Sequence, residues 1–292
     1  MKLRRISKEE LAEVLREHKK WLDSNEKEGK RADLSYTNLS HTDFRYTNLR
    51  RANLSYTNLE EANLSYADLS FADLSNAKLQ FISAKFTNLS GANLEYAKIY
   101  STLEYADLSN AFLNNADLKE IRLEHSNLSF AYLINANLQS ALFLSVNFCH
   151  ADIRGTNFYD ANLYDVELKN VKYDNTTQYF SLQCPEQGEF VAYKKAYEPT
   201  SNSPCIVKLL IPADALRSSA TTKKCRCNKA KVLSITSLNG EKKYRKAYNN
   251  QDHQFIYKTK KMVKVPDFDK DKWKERAPGI HFFMCRMDAV NY

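Results

Sequence analysis

A five-residue pattern recurs from Arg31 to Asn175, and no other feature limits the possible folds so tightly. Its first copies read Ala32-Asp33-Leu34-Ser35-Tyr36, Thr37-Asn38-Leu39-Ser40-His41 and Thr42-Asp43-Phe44-Arg45-Tyr46. The apolar centre returns at every fifth residue to Ile99, with Ala84 as its one small member. One residue is then missing, and the register resumes at Leu103 and runs to Tyr173, for 29 centres in all. Five is the period of neither a helix nor a strand, so no single regular element buries these positions. A coil of short straight sides, with a corner every five residues, buries all of them. Two residues per repeat then face inward, the centre and the residue two before it. The second set is small (Ala32, Thr37, Ala52, Thr57, Ala62) or apolar (Ile82, Ile121, Val146, Val166, Val171). Large and small side chains in alternating layers fill a narrow interior to the density of a protein core. The remaining positions, mostly Asp/Asn, Ser/Glu/Arg and Tyr/Asn, suit a solvated outer wall.

This motif, small–Asp/Asn–Leu–polar–any, resembles the pentapeptide-repeat family over about half the chain. The resemblance implies a mainly β fold, a right-handed quadrilateral β-helix with four repeats per coil. By that rule the 29 repeats make about seven coils, a rod about 35 Å long at roughly 4.8 Å per layer. Only Gly91 and Gly155 lie inside it, in keeping with corners that do not need glycine. Repeats 20 residues apart stack in that geometry. Tyr46, Tyr66, Phe86 and, past the slip, Tyr105 form one row; Tyr36, Tyr56 and Tyr96 form a second, interrupted by Asn76. Such rings stack at about 0.5–1.5 kcal/mol per pair, and an exposed aromatic patch is also what a protein-binding surface looks like. Some family members are DNA mimics that occupy type II topoisomerases. Mimicry requires dense negative rows, whereas residues 31–175 carry a net charge of only −5, interrupted by Arg45, Arg50, Arg51, Arg122 and Arg154.

Residues 1–30 read as an N-terminal capping helix. Ser7-Lys8-Glu9-Glu10 forms a capping box, with the Ser7 hydroxyl on the Glu10 amide and the Glu10 carboxylate reaching back. Leu11, Val14, Leu15, His18, Trp21 and Leu22 follow at helical spacing. The open end of a solenoid exposes core and strand edges that a cap must cover, and Trp21 is expected to lie over it. A partner-binding or membrane-surface helix is the rival, its mixed-charge polar face arguing against the membrane version. No stretch approaches 18 apolar residues. The basic start lacks the apolar run of a signal peptide. Six cysteines then point to free thiols in a reducing cytoplasm.

The basic character of the chain belongs to residues 176–292, which carry +11 of the total +8, against +2 for residues 1–30. They read as a separate α+β domain, with Tyr179-Phe180-Ser181-Leu182 available to close the last coil. Strands are expected over Phe190 to Tyr197, Cys205 to Ile211 (closed by Pro212) and Ala230 to Ile235, with a turn at Asn239-Gly240. Phe255 to Thr259 and Met262 to Val265 suggest a hairpin, Asp269 to Arg276 a helix bearing Trp273 on its apolar side, and Ile280 to Cys285 a last strand. Ile206-Val207-Lys208-Leu209-Leu210-Ile211-Pro212-Ala213-Asp214-Ala215, Lys224-Cys225-Arg226 and Gly279-Ile280-His281-Phe282-Phe283 resemble an uncharacterised domain appended to pentapeptide repeats in bacterial and phage proteins.

The stretch Arg217 to Arg226 is rich in hydroxyls and cations, and Arg217, Ser219, Thr222, Lys224 and Arg226 are candidate anion ligands through charge-assisted hydrogen bonds. It lacks the glycines of a P-loop. His281 faces away from Ile280 and Phe282 and is either a structural histidine or a catalytic base. Lysines interleaved with Tyr244, Tyr248 and Tyr257 would suit single-stranded nucleic acid. Cys225 and Cys227 are too close for a zinc knuckle, and no metal or cofactor is expected. With no catalytic signature in view, the expectation is a non-enzymatic cytoplasmic scaffold binding another protein, as a monomer or side-by-side dimer. A nucleotide-like anion or nucleic acid at the C-terminal domain is the alternative.

Overall fold

The computed structural model describes residues 3–249, 252–274 and 276–292, and divides into two compact units between Gln178 and Tyr179. In the first unit, residues 20 apart pair in parallel: Asp33 with Asn53, Asn53 with Asp73, Asp73 with Asn93, and likewise from Asn38, Asp43 and Asn48. Each turn of the coil is therefore 20 residues, bridged at every fifth. Short strands extend these bridges. β1 (Arg4–Arg5) pairs with β2 (Thr37–Asn38), and β3 (Thr102–Glu104), β4 (Arg122–Glu124) and β5 (Leu142–Leu144) stack in parallel. The missing residue is absorbed in one 19-residue turn, which pairs Ser83 with Thr102 and Lys98 with Asp117 before Asp107–Asn127 restores the spacing of 20. At that turn the Ser101 hydroxyl accepts from the Ile82 amide (3.0 Å) and donates to the Leu79 carbonyl (2.9 Å), standing in for backbone the deletion removed.

Every centre from Leu34 to Leu163 is buried, with the small residue two before it buried or half-buried. The Asp/Asn position does more than face water. Its side-chain oxygen accepts the amide two residues on, as at Asp33 (3.1 Å), Asn53 (3.1 Å) and Asp73 (3.0 Å), and Asn53 also donates to Asp33 one coil away (3.0 Å). Nearly every fifth residue turns the corner with φ near +60°, including Tyr46 (60°), Tyr66 (62°) and Asn76 (59°), with Tyr100 at the slip an exception. This region costs a non-glycine residue energy, and the ladder holds it there: the Tyr56 amide donates to the Ser75 carbonyl one coil on (2.9 Å). Gly91 is glycine for a steric reason as well, because a Cβ there would lie 2.6 Å from the Phe71 ring.

The last repeats depart from the expected burial. Leu168 and Val171 are half-buried and Tyr173 is 54% exposed, since no later repeat stacks on them. Thr177 is buried instead, its hydroxyl donating to the Ile153 carbonyl (3.1 Å).

At the other end, α1 (Lys8–Asp23) begins at Ser7, which accepts from the Glu10 amide at 3.1 Å. The Glu10 carboxylate does not reach back to the cap; it pairs with Arg4 at 2.8 Å. His18, rather than Trp21, is the fully buried member of the stripe. Its Nδ1 accepts from the Ala32 amide (3.1 Å), and Trp21 stacks on it at 5.6 Å. Burial holds the imidazole below its ordinary value of 6.5, aided by the Arg31 charge and opposed by the Arg50 backbone. The folded state therefore prefers neutral His18. Its stabilising contribution is complete above 6.5 and is lost as pH falls through the window below it. The midpoint of thermal unfolding of the first unit is expected to drop more between pH 7.5 and 5 in the wild type than in His18→Gln. Parallel profiles would remove His18 from the account.

The second unit is a ten-stranded antiparallel sheet with one short helix, so the expected α+β character is almost entirely β. In chain order its elements are β6 (Phe190–Tyr197), β7 (Pro204–Ile211), β8 (Arg217–Ser219), β9 (Lys224–Cys227), β10 (Lys229–Ser237), β11 (Lys243–Tyr244), β12 (Lys246–Asn249), β13 (Asp252–Lys258), β14 (Met262–Lys264), β15 (Ile280–Phe283) and α2 (Arg286–Asn291). The spatial order is β11-β10-β7-β6-β15-β9-β8, with β12 on β13 and β6, and β14 on β10. Ala192, Val207, Leu209, Cys225, Val232 and Phe282 form the centre of its core.

Two expectations fail here. β13 and β14 are not a hairpin: β13 pairs with β12 and β14 with β10. The intervening turn is bonded into β10, Lys260 N to Val232 O (2.8 Å) and Val232 N to Lys261 O (2.9 Å). No helix forms among the described residues of 269–276. Asp269 and Asp271 bond the amides of Asp271 (2.9 Å) and Trp273 (3.0 Å), and both their carbonyls are taken by Arg226. Phe180 belongs to this unit and packs on Trp273 at 5.3 Å.

Candidate functional site

On the first unit the expected aromatic row is continuous. Ring centroids are 5.0 Å apart for Tyr46–Tyr66, 5.2 Å for Tyr66–Phe86, 4.8 Å for Phe86–Tyr105, and the row extends to His125 at 4.9 Å. Tyr46 is 74% exposed, and the other three rings are about half exposed. Lys85 lies within 5.6 Å of Phe86 and 5.7 Å of Tyr105 while paired to Glu104. In the second row Tyr36 stacks on Tyr56 at 4.7 Å, and Tyr96 stands exposed beyond the Asn76 interruption. Two further stacks, Phe112–Tyr132 (5.2 Å) and Phe130–His150 (4.7 Å), follow the same 20-residue spacing and were legible by it.

In the second unit the structure separates the residues of the expected anion loop. Arg226 is buried on β9, and its guanidinium donates to the carbonyls of Asp269 (3.0 Å), Pro278 (3.2 Å) and Asp271 (2.7 Å), over the Phe268 ring. Arg217 donates to the carbonyls of Pro185 (2.7 Å), Gly188 (2.8 Å) and Pro212 (2.8 Å), over Phe190. Ser219 accepts from the Gln183 amide (2.8 Å), and Thr222 from the Lys224 amide (3.1 Å). Both arginines thus tie loops to the sheet, a task that required knowing which carbonyls come near.

Lys224 and His281, by contrast, meet at a cavity of about 230 Å³, lined also by Lys194, Lys195, Tyr197, Asn249, Arg276, Phe283 and Tyr292. Its origin is topological. β6 pairs with β7 over its whole length, but on its other side, among the described residues, it meets β15 at Tyr193–Phe283 and β12 at Tyr248–Tyr197. Among the described residues the edge around Lys195 has no partner strand, and the cavity lies there. Ile280 and Phe282 turn into the core, which leaves His281 and Phe283 for the wall. Lys195 donates to the Val290 carbonyl at the end of α2 (3.1 Å), and Lys224 to the Tyr292 hydroxyl (3.1 Å). Desolvation, with the Lys224 charge adding to it, brings the Lys194 ammonium down to about 8. The alternating sequence of β6 carries no sign of this; only the splitting of the sheet does.

The face suggested for single strands is partly dismantled. Tyr257 is buried, Tyr248 bonds Asn202 through its hydroxyl, and Lys229 and Lys223 pair with Asp214 and Asp288. All six cysteines are free, and no group of three or more metal-ligating side chains occurs among the described residues. No described helix is long and apolar enough to cross a membrane.

Comparison with known proteins identifies both units by sequence. Residues 30–65, 43–80, 67–103, 101–139 and 141–172 match pentapeptide repeats, and residues 180–289 match a family of unknown function (DUF5758). No curated protein matches the chain. Among solved structures, HetL, a pentapeptide repeat protein involved in heterocyst differentiation regulation in Nostoc sp. strain PCC 7120, is 29% identical, with 49% of this chain and 77% of HetL covered and a TM-score of 0.21. Full-length QnrB1, a plasmid-mediated fluoroquinolone resistance protein, is 23% identical over 48% of this chain and 80% of its own, at a TM-score of 0.20. A pentapeptide repeat protein from the Arabidopsis thaliana thylakoid lumen is 25% identical over 46% and 70%, at 0.15.

Proposed function

Because this is a pentapeptide-repeat protein whose C-terminal region belongs to a family of unknown function, we propose that it is a non-enzymatic scaffold whose repeat rod captures another protein through its aromatic row. The observation that carries this reading is the continuous column from Tyr46 to Tyr105, which stays open to solvent although its rings already stack on one another. Flat, rigid rings supply contact area at little entropic cost, and such residues dominate protein-binding surfaces. In the same reading the coil is a right-handed, four-sided β-helix, closed at its first turn by α1 through His18, and the protein acts in the cytoplasm, where its free thiols persist.

Asparagine occupies the same left-handed corner at Asn76, Asn110 and Asn115, so it can replace tyrosine without backbone strain. Tyr46→Asn/Tyr66→Asn removes two stacked pairs, those of Tyr46–Tyr66 and Tyr66–Phe86. The expected cost is about 1–3 kcal/mol of stability, together with loss of partner capture in a cross-linking pull-down at a temperature where the variant is fully folded. Capture that survives the double substitution would leave the column a purely structural stack.

A further inference from the structure

We propose that the cavity between β6 and β15 binds a small organic phosphate, its phosphate held by Lys194, Lys195, Lys224 and Arg276. Four cationic side chains line a space of about 230 Å³, and no Asp or Glu side chain lines it among the described residues. Cations gathered around one small space repel each other, and a dianion placed among them reverses the sign of that interaction. The two lysines already bonded are held from behind, Lys195 by the Val290 carbonyl and Lys224 by the Tyr292 hydroxyl, so their positions are set before a ligand arrives. Lys194 and Arg276 make no hydrogen bond or ion pair with another described side chain or carbonyl, which leaves their donors for the ligand. A desolvated ammonium without a counter-charge is costly, and in a cleft it marks a functional site more often than a structural one.

The size and the walls define the rest of the ligand. The cavity is smaller than the roughly 300–1,000 Å³ of drug-sized sites, too small for a folded polymer, and fits a phosphate with a compact organic group. Tyr197, Phe283 and Tyr292 provide an apolar wall for that group, and Asn249 a neutral hydrogen-bonding end. The titratable side chains lining the cavity among the described residues are Lys194, Lys195, Lys224, Arg276, His281, Tyr197 and Tyr292. Lys194, brought down to about 8 by desolvation, loses its charge as pH rises above neutrality. Affinity should therefore fall between pH 7 and 9.5.

The test is isothermal titration of the full-length protein with ribose 5-phosphate, AMP, adenosine and a 5′-hydroxyl decathymidylate. One site per chain for the two phosphate esters, none for adenosine, and about tenfold or greater weakening in both Lys194→Met and Arg276→Ala is expected. Lys242→Ala, which removes an exposed cation outside the cavity, should bind as the wild type does. The pH dependence should flatten in Lys194→Met. Absence of binding by both esters would overturn the proposal, as would unchanged affinity in the folded Lys194→Met and Arg276→Ala variants. Displacement of the esters by the decathymidylate would overturn it too, in favour of a nucleic-acid surface. The repeat rod takes no part in this site, so the result leaves the scaffold reading untouched.

Discussion

Replacing Arg226 with methionine is expected to destabilise residues 179–292 by about 3–5 kcal/mol. The side chain is 2% exposed, and its guanidinium is the partner of three carbonyls, those of Asp269, Asp271 and Pro278. Methionine keeps the length and the apolar contact with Phe268 but removes the guanidinium donors from all three carbonyls and leaves that of Asp271 only the Lys274 amide at 3.4 Å. The segment they belong to has no helix of its own to fall back on, because Asp269 and Asp271 have already bent it into successive side-chain turns. Arg226→Lys should recover only part of the loss, since a single ammonium cannot reproduce the planar fork that spans these acceptors. The two tryptophans make the measurement clean: Trp21 reports on the first unit and Trp273 on the second. In a Trp21→Phe background, urea unfolding followed by fluorescence should show the midpoint moving with little change in slope. An unchanged midpoint would mean that Arg226 contributes nothing net, and that its burial is only tolerated.

Leu113→Ala is expected to cost the repeat rod about 3–5 kcal/mol. Leu113 is 1% exposed and shares its layer with the inward Ala111. Both would then be alanine, and a narrow coil whose backbone is tied to the turns above and below cannot collapse onto the void. The chain itself shows how the loss can be repaired. At Ile82 and Ala84 the large and small residues have exchanged places and both remain buried. Conserving the volume of a layer matters more than the order of the two side chains within it. Ala111→Ile combined with Leu113→Ala should recover at least half of the stability lost, measured by far-ultraviolet circular dichroism in urea. A double variant no more stable than the single one would mean that shape at each position, rather than volume per layer, limits the interior.

How far these features could be read in advance differs between the two units. The inward set from Leu34 to Leu163, the single slip after Ile99, the stacked rows of rings and the Ser7 start of α1 all follow from local periodicity. Each repeat contacts copies of itself at a fixed offset, so the spacing along the chain is also the spacing in space. The hydrogen bonds of the Asp/Asn position were missed, though the residue type carried the signal, because solvation alone accounts for a polar residue on an outer wall. In the second unit β6, β7 and β10 were legible as strands, whereas the partners of β13 and β14 and the lack of a helix among the described residues of 269–276 were not. Those depended on Val232 and Arg226, which lie roughly thirty to fifty residues away in the chain.

The amino-acid sequence by itself therefore determined the coil, its layers and its exposed rings, because a repeat restates the same short-range instruction until the whole element is specified. Only the tertiary structure decided which cations are structural and which are available. Arg217 and Arg226 looked like the stronger ligands, yet backbone carbonyls brought from distant loops consume their donors. Lys194, in an ordinary strand, and Arg276, in an ordinary turn, were left lining a cavity beside the Tyr193–Phe283 pair, the one place where β6 and β15 pair among the described residues. Side-chain chemistry is written in the chain, but whether a donor is already satisfied depends on contacts between segments, and those exist only once the sheet has assembled.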